Sequence, residues 1–369
     1  MNVPFNSFEY TNAEIRDEIF RSFDDVYNSN SYVLGSSVDL FEENYADFGK
    51  TKFSIGVSNG LDALHLCLLA LGIGEGDEVI VPSNTYIATA LAVTFVNAVP
   101  VFVEPNIHTY NIDVEMIAKS ITSRTKAIIP VHLYGQAAEM DRILELAQLH
   151  NIYVIEDNAQ AQGASFKGKL TGSFGILNAT SFYPGKNLGA FGDAGGVTTD
   201  DEDLAVKVRA LRNYGSNKKY YNAFIGHNMR MDELQAAFLD VKLKRLQFWN
   251  DHRVKAANFY LKNLSEVGDL ILPLRANYAT HVYHLFVVRT IYRDRLQLFL
   301  LERGVQTLIH YPVPPHLQEA YSFLGYSKGS FPIAEELADT CLSLPIWPGI
   351  TMEQLDYVCN MIKIFYSEI

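Results

Sequence analysis

Lys186 is the residue whose setting suggests covalent chemistry. It stands in Ser181-Phe182-Tyr183-Pro184-Gly185-Lys186-Asn187-Leu188-Gly189, among aromatic and apolar flanks with no neighbouring charge. Pro184 keeps a helix from running through it. A lysine withdrawn from water loses proton affinity and becomes a usable amine nucleophile. Schiff-base formation is therefore the chemistry this stretch suggests, with an ordinary turn and a solvated lysine as the alternative. The glycine-rich run that follows, 189–196, permits close backbone approach to a ligand or a tight reverse turn.

Three further positions could serve such an amine. Asp157 follows the apolar run Ile152-Tyr153-Val154-Ile155 and is expected at a strand end. A carboxylate buried there stays ionised only beside a cation, and a protonated pyridine nitrogen would be one. A helix cap or a pair with a structural arginine is the competing reading. Gly60 lies in Ser58-Asn59-Gly60-Leu61-Asp62, between a strand at 53–57 and an apolar helix. Free N–H groups and the positive dipole end at such a start suit a phosphate, although Asn59 or Asp62 could simply cap the helix. Tyr86 closes the strand-end sequence Pro82-Ser83-Asn84-Thr85-Tyr86 and offers a ring face. A phosphate cup, an aromatic face, a counter-ion and an imine-forming amine are together the parts of a pyridoxal 5'-phosphate site.

The elements that must position these groups follow from periodicity. Apolar strands are expected at 53–57, 78–81, 99–103, 127–131 and 152–155. Helices are expected at 12–27, through Val38, Phe41 and Tyr45, and at 60–71, 87–97, 140–150 and 200–212. This alternation is the α/β pattern of a mostly parallel sheet, whose sites gather beyond the C-terminal strand ends. Gly60, Tyr86 and Asp157 all fall there. A long helix over 232–261 is expected to lead into a smaller α+β unit, with strands at 284–290 and 306–309 and helices at 294–303, 331–340 and 352–366. The division expected is an arm at 1–11, a large domain at 12–246 and a small domain at 247–369. The loop His310-Tyr311-Pro312-Val313-Pro314-Pro315-His316 is stiffened by its prolines, and its two histidines have no cysteine or carboxylate cluster that would make a metal site.

Bulk properties narrow the function class. The 369 residues, 48% hydrophobic, suffice for two cores. A net charge of −12 without a basic block argues against a nucleic-acid partner. Cys67, Cys341 and Cys359 make no CxxC pair and are expected as core thiols in a reducing compartment. The first residues show no basic and apolar leader, and no apolar run reaches membrane-spanning length. The expected location is the cytoplasm, with no membrane partner.

Four stretches resemble the DegT/StrS sugar aminotransferases: Ser58 to Leu64, Glu156-Asp157-Asn158-Ala159-Gln160-Ala161, Ser181 to Asn187, and Asn228-Met229-Arg230-Met231-Asp232-Glu233-Leu234-Gln235-Ala236-Ala237. The resemblance runs from Pro4-Phe5 to Leu344-Pro345. It implies the aspartate-aminotransferase fold (fold type I): α/β, a mixed, mostly parallel seven-stranded sheet plus a smaller α+β C-terminal domain. It implies pyridoxal 5'-phosphate, with Lys186 as Schiff-base former and proton shuttle and Asp157 on the ring nitrogen. Gln160 would lie near the ring oxygen and Tyr86 on the ring face. Gly60, Leu61 and Ser181 would hold the phosphate, and Asn228 would reach the phosphate of a neighbouring subunit, making a homodimer with shared active sites. The family pattern often has a small residue where Met229 stands, while Asn228 and Arg230 keep to it.

A lysine at 186, where dehydratase relatives carry histidine, implies transamination, with L-glutamate as donor and a nucleotide-linked keto-sugar as acceptor. The stretches Tyr183 to Ala190 and Val81 to Thr89 most resemble enzymes that turn dTDP-3-keto-6-deoxyhexoses into dTDP-3-amino-3,6-dideoxyhexoses for surface polysaccharide such as O-antigen. Tyr183, Tyr311, His316 and Tyr32 are the candidate substrate contacts. Competing readings are a C4-aminotransferase on a dTDP- or UDP-4-keto-sugar and a regulatory protein that binds the cofactor without turnover. A dinucleotide-dependent oxidoreductase is disfavoured, because no G-x-G-x-x-G follows the first strand.

Overall fold

The apolar runs of the first 200 residues join one sheet in the computed structural model, which describes residues 1–369. Its strands are Phe53–Val57 (β1), Glu78–Pro82 (β2), Val99–Val103 (β3), Thr125–Ile128 (β4), Tyr153–Asp157 (β5), Leu177–Ser181 (β6) and Gly195–Thr199 (β7). The spatial order is β1-β7-β6-β5-β4-β2-β3. Only β7 runs against the rest, pairing antiparallel with β1 and β6. The other neighbours pair in parallel. The expected mixed, mostly parallel seven-stranded sheet is therefore present.

The reversal of β7 explains where Lys186 sits. Because β6 and β7 are adjacent and opposed, residues 182–194 must leave the C-terminal edge of the sheet and return to it. Phe182 N–H donates to Ala194 O at 2.8 Å, and Ala190 N–H to Phe182 O at 2.7 Å, so the excursion is pinned at its base. The sequence does not announce these two strands: Leu-Asn-Ala-Thr-Ser and Gly-Gly-Val-Thr-Thr contain no aliphatic run, yet nearly every residue is buried. At Gly196 an added Cβ would lie 3.2 Å from the Phe182 ring, so a side chain there would crowd the loop base.

Helices cover the sheet. Glu9–Ser29 (α1) and Ser36–Gly49 (α2) precede it, while Gly60–Ala70 (α3) and Ile87–Phe95 (α4) follow β1 and β2. Helix α1 begins at Glu9, three residues before the expected start at Asn12. The single long helix is two, Glu233–Leu243 (α5) and Leu246–Asn263 (α6), separated at Lys244-Arg245 without a proline or glycine to mark the break. Glu233, opening α5, caps α2: its carboxylate accepts the N–H groups of Gly35, Ser37 and Val38 at 2.7, 2.9 and 3.1 Å.

A second core surrounds Tyr260, Phe286, Leu296, Val358 and Ile362. Its strands Phe286–Arg289 (β8) and Cys341–Leu344 (β9) pair antiparallel. Segment 306–309 is not a full strand; it makes isolated bridges on either side, Val305 to Val3 and Leu308 to Ser343. Fully buried Val3 thus carries the N-terminal arm into the second core. Helix α6 connects the two cores: Leu246 packs with Phe182 and Leu188, whereas Ala256, Ala257 and Tyr260 pack in the second.

Candidate active site

A cavity of about 760 Å³ opens at the C-terminal edge of the large sheet. One wall comes from the starts of α3 and α4, the end of β5 and the loop 182–194; the other comes from α6 and segments 284–285 and 308–311. Lys186 lines it and makes no side-chain hydrogen bond or ion pair. Burial lowers its ammonium pKa to about 8, against the opposing pull of Asp157. The amine is thus a far better nucleophile near neutral pH than a solvated lysine.

Asp157 ends β5 and is buried. Its carboxylate accepts from Thr89 Oγ1 at 3.0 Å and from Ala159 N–H at 3.1 Å, with no cation at ion-pair distance. Burial pushes its pKa up, and these two donors and Lys186 offset only part of that. The residue before it faces the other way into a satisfied polar cluster. Glu156 meets His132 Nε2 at 2.6 Å and accepts backbone N–H groups of Gly172, Phe174 and Gly175. Ala138 N–H donates to His132 Nδ1 at 3.0 Å, which leaves Nε2 as the protonated nitrogen that donates to Glu156. Burial works against the Glu156 charge, but His132 and the amides outweigh it and hold the pKa below the usual range. This cluster, with Asp157 N–H donating to Pro130 O at 2.9 Å, fixes the strand end that presents Asp157.

The start of α3 lies against Ser181 at the end of β6. A Cβ on Gly60 would stand 2.6 Å from Ser181 Cβ, so only glycine fits. Asn59 caps the helix by accepting Asp62 N–H at 2.8 Å. Gly60, Leu61 and Ser181 all line the cavity. Tyr86 and Tyr311 face each other with ring centroids 5.3 Å apart. Gln160 accepts Tyr134 N–H at 2.7 Å and donates to Tyr311 Oη at 3.1 Å, which ties the two walls together. Tyr183 stands exposed at the cavity rim.

Three expected residues are not brought to this cavity by their own chain. Asn228 is exposed on a segment bridged to Asn213. Tyr32 is exposed beside Tyr27. His316 is buried elsewhere, its Nε2 3.0 Å from Glu335 and its ring edge-on to Phe331, so its role is to hold the 315–335 region together. Its place at the cavity is taken by His310 from the same loop, whose Nδ1 lies 2.8 Å from Ser343 Oγ. Sequence reading missed His284, Arg253 and Thr89. Thr89 lies one turn beyond Tyr86, but a threonine in an apolar helix carries no mark of its partner.

The residues fit pyridoxal 5'-phosphate. Asp157 lacks a cation that a ring nitrogen would supply, Gly60 leaves a side-chain-free cradle beside Ser181, and Lys186 is an unpaired amine of lowered basicity. Asp157 would hold the ring nitrogen, Tyr86 a ring face, and Gly60, Leu61 and Ser181 the phosphate. The bound cofactor supplies the electron sink through which an amino group leaves one carbon and reaches another. In that arrangement Asp157 would keep the ring nitrogen protonated, the Lys186 amine would move a proton at the substrate carbon, and the Tyr86–Tyr311 wall would limit water.

Comparison with known proteins agrees with this geometry. Residues 13–363 match the DegT/DnrJ/EryC1/StrS aminotransferase family. The dTDP-3-amino-3,6-dideoxy-alpha-D-galactopyranose transaminase of Aneurinibacillus thermoaerophilus is 49% identical, covering 98% of this chain and 99% of its own. The erythromycin biosynthesis sensory transduction protein EryC1 of Saccharopolyspora erythraea is 47% identical over 98% of this chain and 99% of its own. The crystal structure of S. venezuelae DesV in complex with a ketimine intermediate superposes with a TM-score of 0.98 at 45% identity, covering 100% of this chain and 99% of that one.

Proposed function

Because the chain belongs to the DegT/DnrJ/EryC1/StrS aminotransferase family and is a pyridoxal-phosphate-dependent transaminase, we propose that it moves the amino group of L-glutamate onto a dTDP-3-keto-6-deoxyhexose, giving a dTDP-3-amino-3,6-dideoxyhexose. The observation that carries the reading is the pair formed by Lys186, with its lowered amine pKa, and the uncompensated Asp157 in one cavity. A lysine of lowered basicity in one cavity with a carboxylate that has no cation beside it supports turnover. The choice of a dTDP-linked 3-keto-sugar is supported by the relative whose name carries a dTDP-3-amino-3,6-dideoxy sugar at 49% identity.

Tyr183 and Tyr311, at the rim and in the second wall, are assigned to the sugar nucleotide. The working unit is a homodimer with shared sites, in which Asn228, and with it Tyr32, faces the partner's cavity. Exposed apolar side chains on α1 and α2, among them Phe20, Tyr27 and Leu40, support a covered face. We assign the reaction to the cytoplasm, in the supply of amino sugar for surface polysaccharide. Three buried free cysteines suit a reducing compartment.

The test is an amination assay with glutamate over a panel of dTDP- and UDP-linked 3-keto- and 4-keto-sugars, with product regiochemistry read by NMR. The expected product carries nitrogen at C3 of a dTDP-sugar. Nitrogen at C4, or a cofactor absorption band that glutamate leaves unchanged, would overturn the assignment.

A further inference from the structure

Lys242 is a buried cation with no anion beside it, set behind the loop that carries Lys186. It projects from α5 and is 7% exposed. Its Nζ donates to Gly189 O at 2.6 Å and stands 3.7 Å from the centroid of the Phe191 ring. Asp240, two residues earlier on the same helix, is engaged elsewhere: it pairs with Lys244 at 2.9 Å and accepts from Asn44 at 2.6 Å. Burial alone lowers the Lys242 ammonium pKa to about 8. Arg253 of α6, the buried arginine at the cavity, is held differently. It donates to the carbonyls of Tyr283, His284 and Ile346, which tie it to the second core. At position 242 a methionine would fill the same space without the cost of desolvating a charge, so packing alone does not call for a lysine.

What the ammonium holds is the returning half of the excursion 182–194. Gly189 lies directly against the turn that presents Lys186: a Cβ added to it would stand 2.2 Å from Pro184 O. A shift of Gly189 is therefore passed to Pro184, and Lys186 N–H closes that same turn on Tyr183 O at 2.8 Å. No other group donates to Gly189 O, so without Lys242 a buried carbonyl is orphaned at this point. The neighbouring fastenings lie on either side of it. Asn250 Oδ1 of α6 accepts from Asn187 Nδ2 at 2.7 Å, and Gln235 Oε1 of α5 accepts Phe191 N–H at 2.8 Å. Phe238 of α5 meets the Phe191 ring edge-on, with centroids 5.4 Å apart. Only the Lys242 contact falls on the residue packed against Pro184. The charge matters as well as the reach: one ammonium is attracted at once to a carbonyl oxygen and to a ring face, and both attractions strengthen away from water.

We propose that Lys242 is a positioning residue: it clamps the Lys186 loop from behind, through Gly189 and Phe191, and so keeps the reactive amine withdrawn from water in one cavity with Asp157. This rests on the reading of Lys186 as the amine that captures the cofactor. With the clamp gone the turn relaxes and water reaches the amine, whose basicity then climbs back toward that of a solvated lysine. The experiment follows capture of pyridoxal phosphate by the cofactor-free protein against pH. Wild type, Lys242→Met, Lys242→Arg and Phe191→Leu are compared, with denaturant unfolding of each as the check on folding. In Lys242→Met the midpoint of the pH dependence is expected to rise by about one pH unit. Its kcat is expected to fall about tenfold, with KM for both substrates little changed. Lys242→Arg, whose head group can reach both the carbonyl and the ring, should restore most of both losses. Phe191→Leu removes only the ring and should give a smaller rise in the midpoint. A Lys242→Met protein that folds and captures the cofactor with the wild-type midpoint overturns the assignment, even if it is less stable, because lost packing alone leaves the surroundings of the amine as they were. Should Lys242→Met fail to fold, Phe191→Leu decides: a raised midpoint supports the clamp, and an unchanged one overturns it. Cofactor capture that persists in Lys186→Ala overturns the Lys186 reading itself, whatever the Lys242 variants do.

Discussion

At the scale of single residues, chemistry here is set by which charges lack partners. Lys186 sheds its proton near pH 8 rather than above 10 because burial disfavours the ammonium. The amine is the reactive form, so capture of pyridoxal phosphate by the cofactor-free protein should speed up as pH rises through about 8 and then level off. Stopped-flow absorbance across that range checks this, and a rate independent of pH would contradict it. Asp157→Asn keeps the shape of the side chain but removes the charge proposed to hold the ring nitrogen protonated. It should lower kcat about a thousandfold, or roughly 4 kcal/mol of barrier, with the cofactor still bound. That Lys186, Asp157, Gly60 and Tyr86 share one cavity was legible in the sequence because each follows a recognisable run or strand end. Arg253 and His284 were not, since their significance lies in what they lack or in partners far along the chain. His316 misled because its partner, Glu335, is on another helix and takes up its polar end.

At the scale of elements, the end of β5 and the start of α3 are the parts that must not move. Glu156 satisfies buried His132 and three backbone amides; without the carboxylate His132 Nε2 and the Gly172 and Phe174 N–H groups are orphaned, while Gly175 keeps Asn178 Oδ1 at 2.8 Å. Glu156→Ala should cost about 3–5 kcal/mol in denaturant unfolding, and Glu156→Gln less, because an acceptor oxygen remains. A loss under about 1 kcal/mol for Glu156→Ala would show the cluster to be dispensable. Gly60→Ala would force a Cβ against Ser181 and shift the first turn of α3. The fold should persist while cofactor affinity falls about tenfold, measured by cofactor release on dialysis. The strands β1 to β5 were readable from their aliphatic runs. Strands β6 and β7 were not, because their residues are small and polar and strand pairing on both sides, rather than composition, makes them strands. The break between α5 and α6 was invisible for a related reason: helical periodicity continues across it, and the turn is imposed by packing.

At the scale of the whole molecule, one chain brings together an amine, its counter-charge and a phosphate cradle, but leaves Asn228 exposed and outside the cavity. The proposed second copy, supplying Asn228 to the site, can be tested by complementation. On that proposal Lys186→Ala removes the amine from its own site only, whereas Asn228→Ala removes a phosphate ligand from the partner's site. In a hybrid of the two variants one site carries both defects, and the other has an intact Lys186 from one chain and an intact Asn228 from the other. Random pairing makes half the dimers hybrid, so an equal mixture dissociated and reassembled at limiting cofactor should regain about a quarter of wild-type activity. Activity no greater than the mean of the two parent variants would mean that each chain completes its own site, and the exposed side chains of α1 and α2 would then need another explanation.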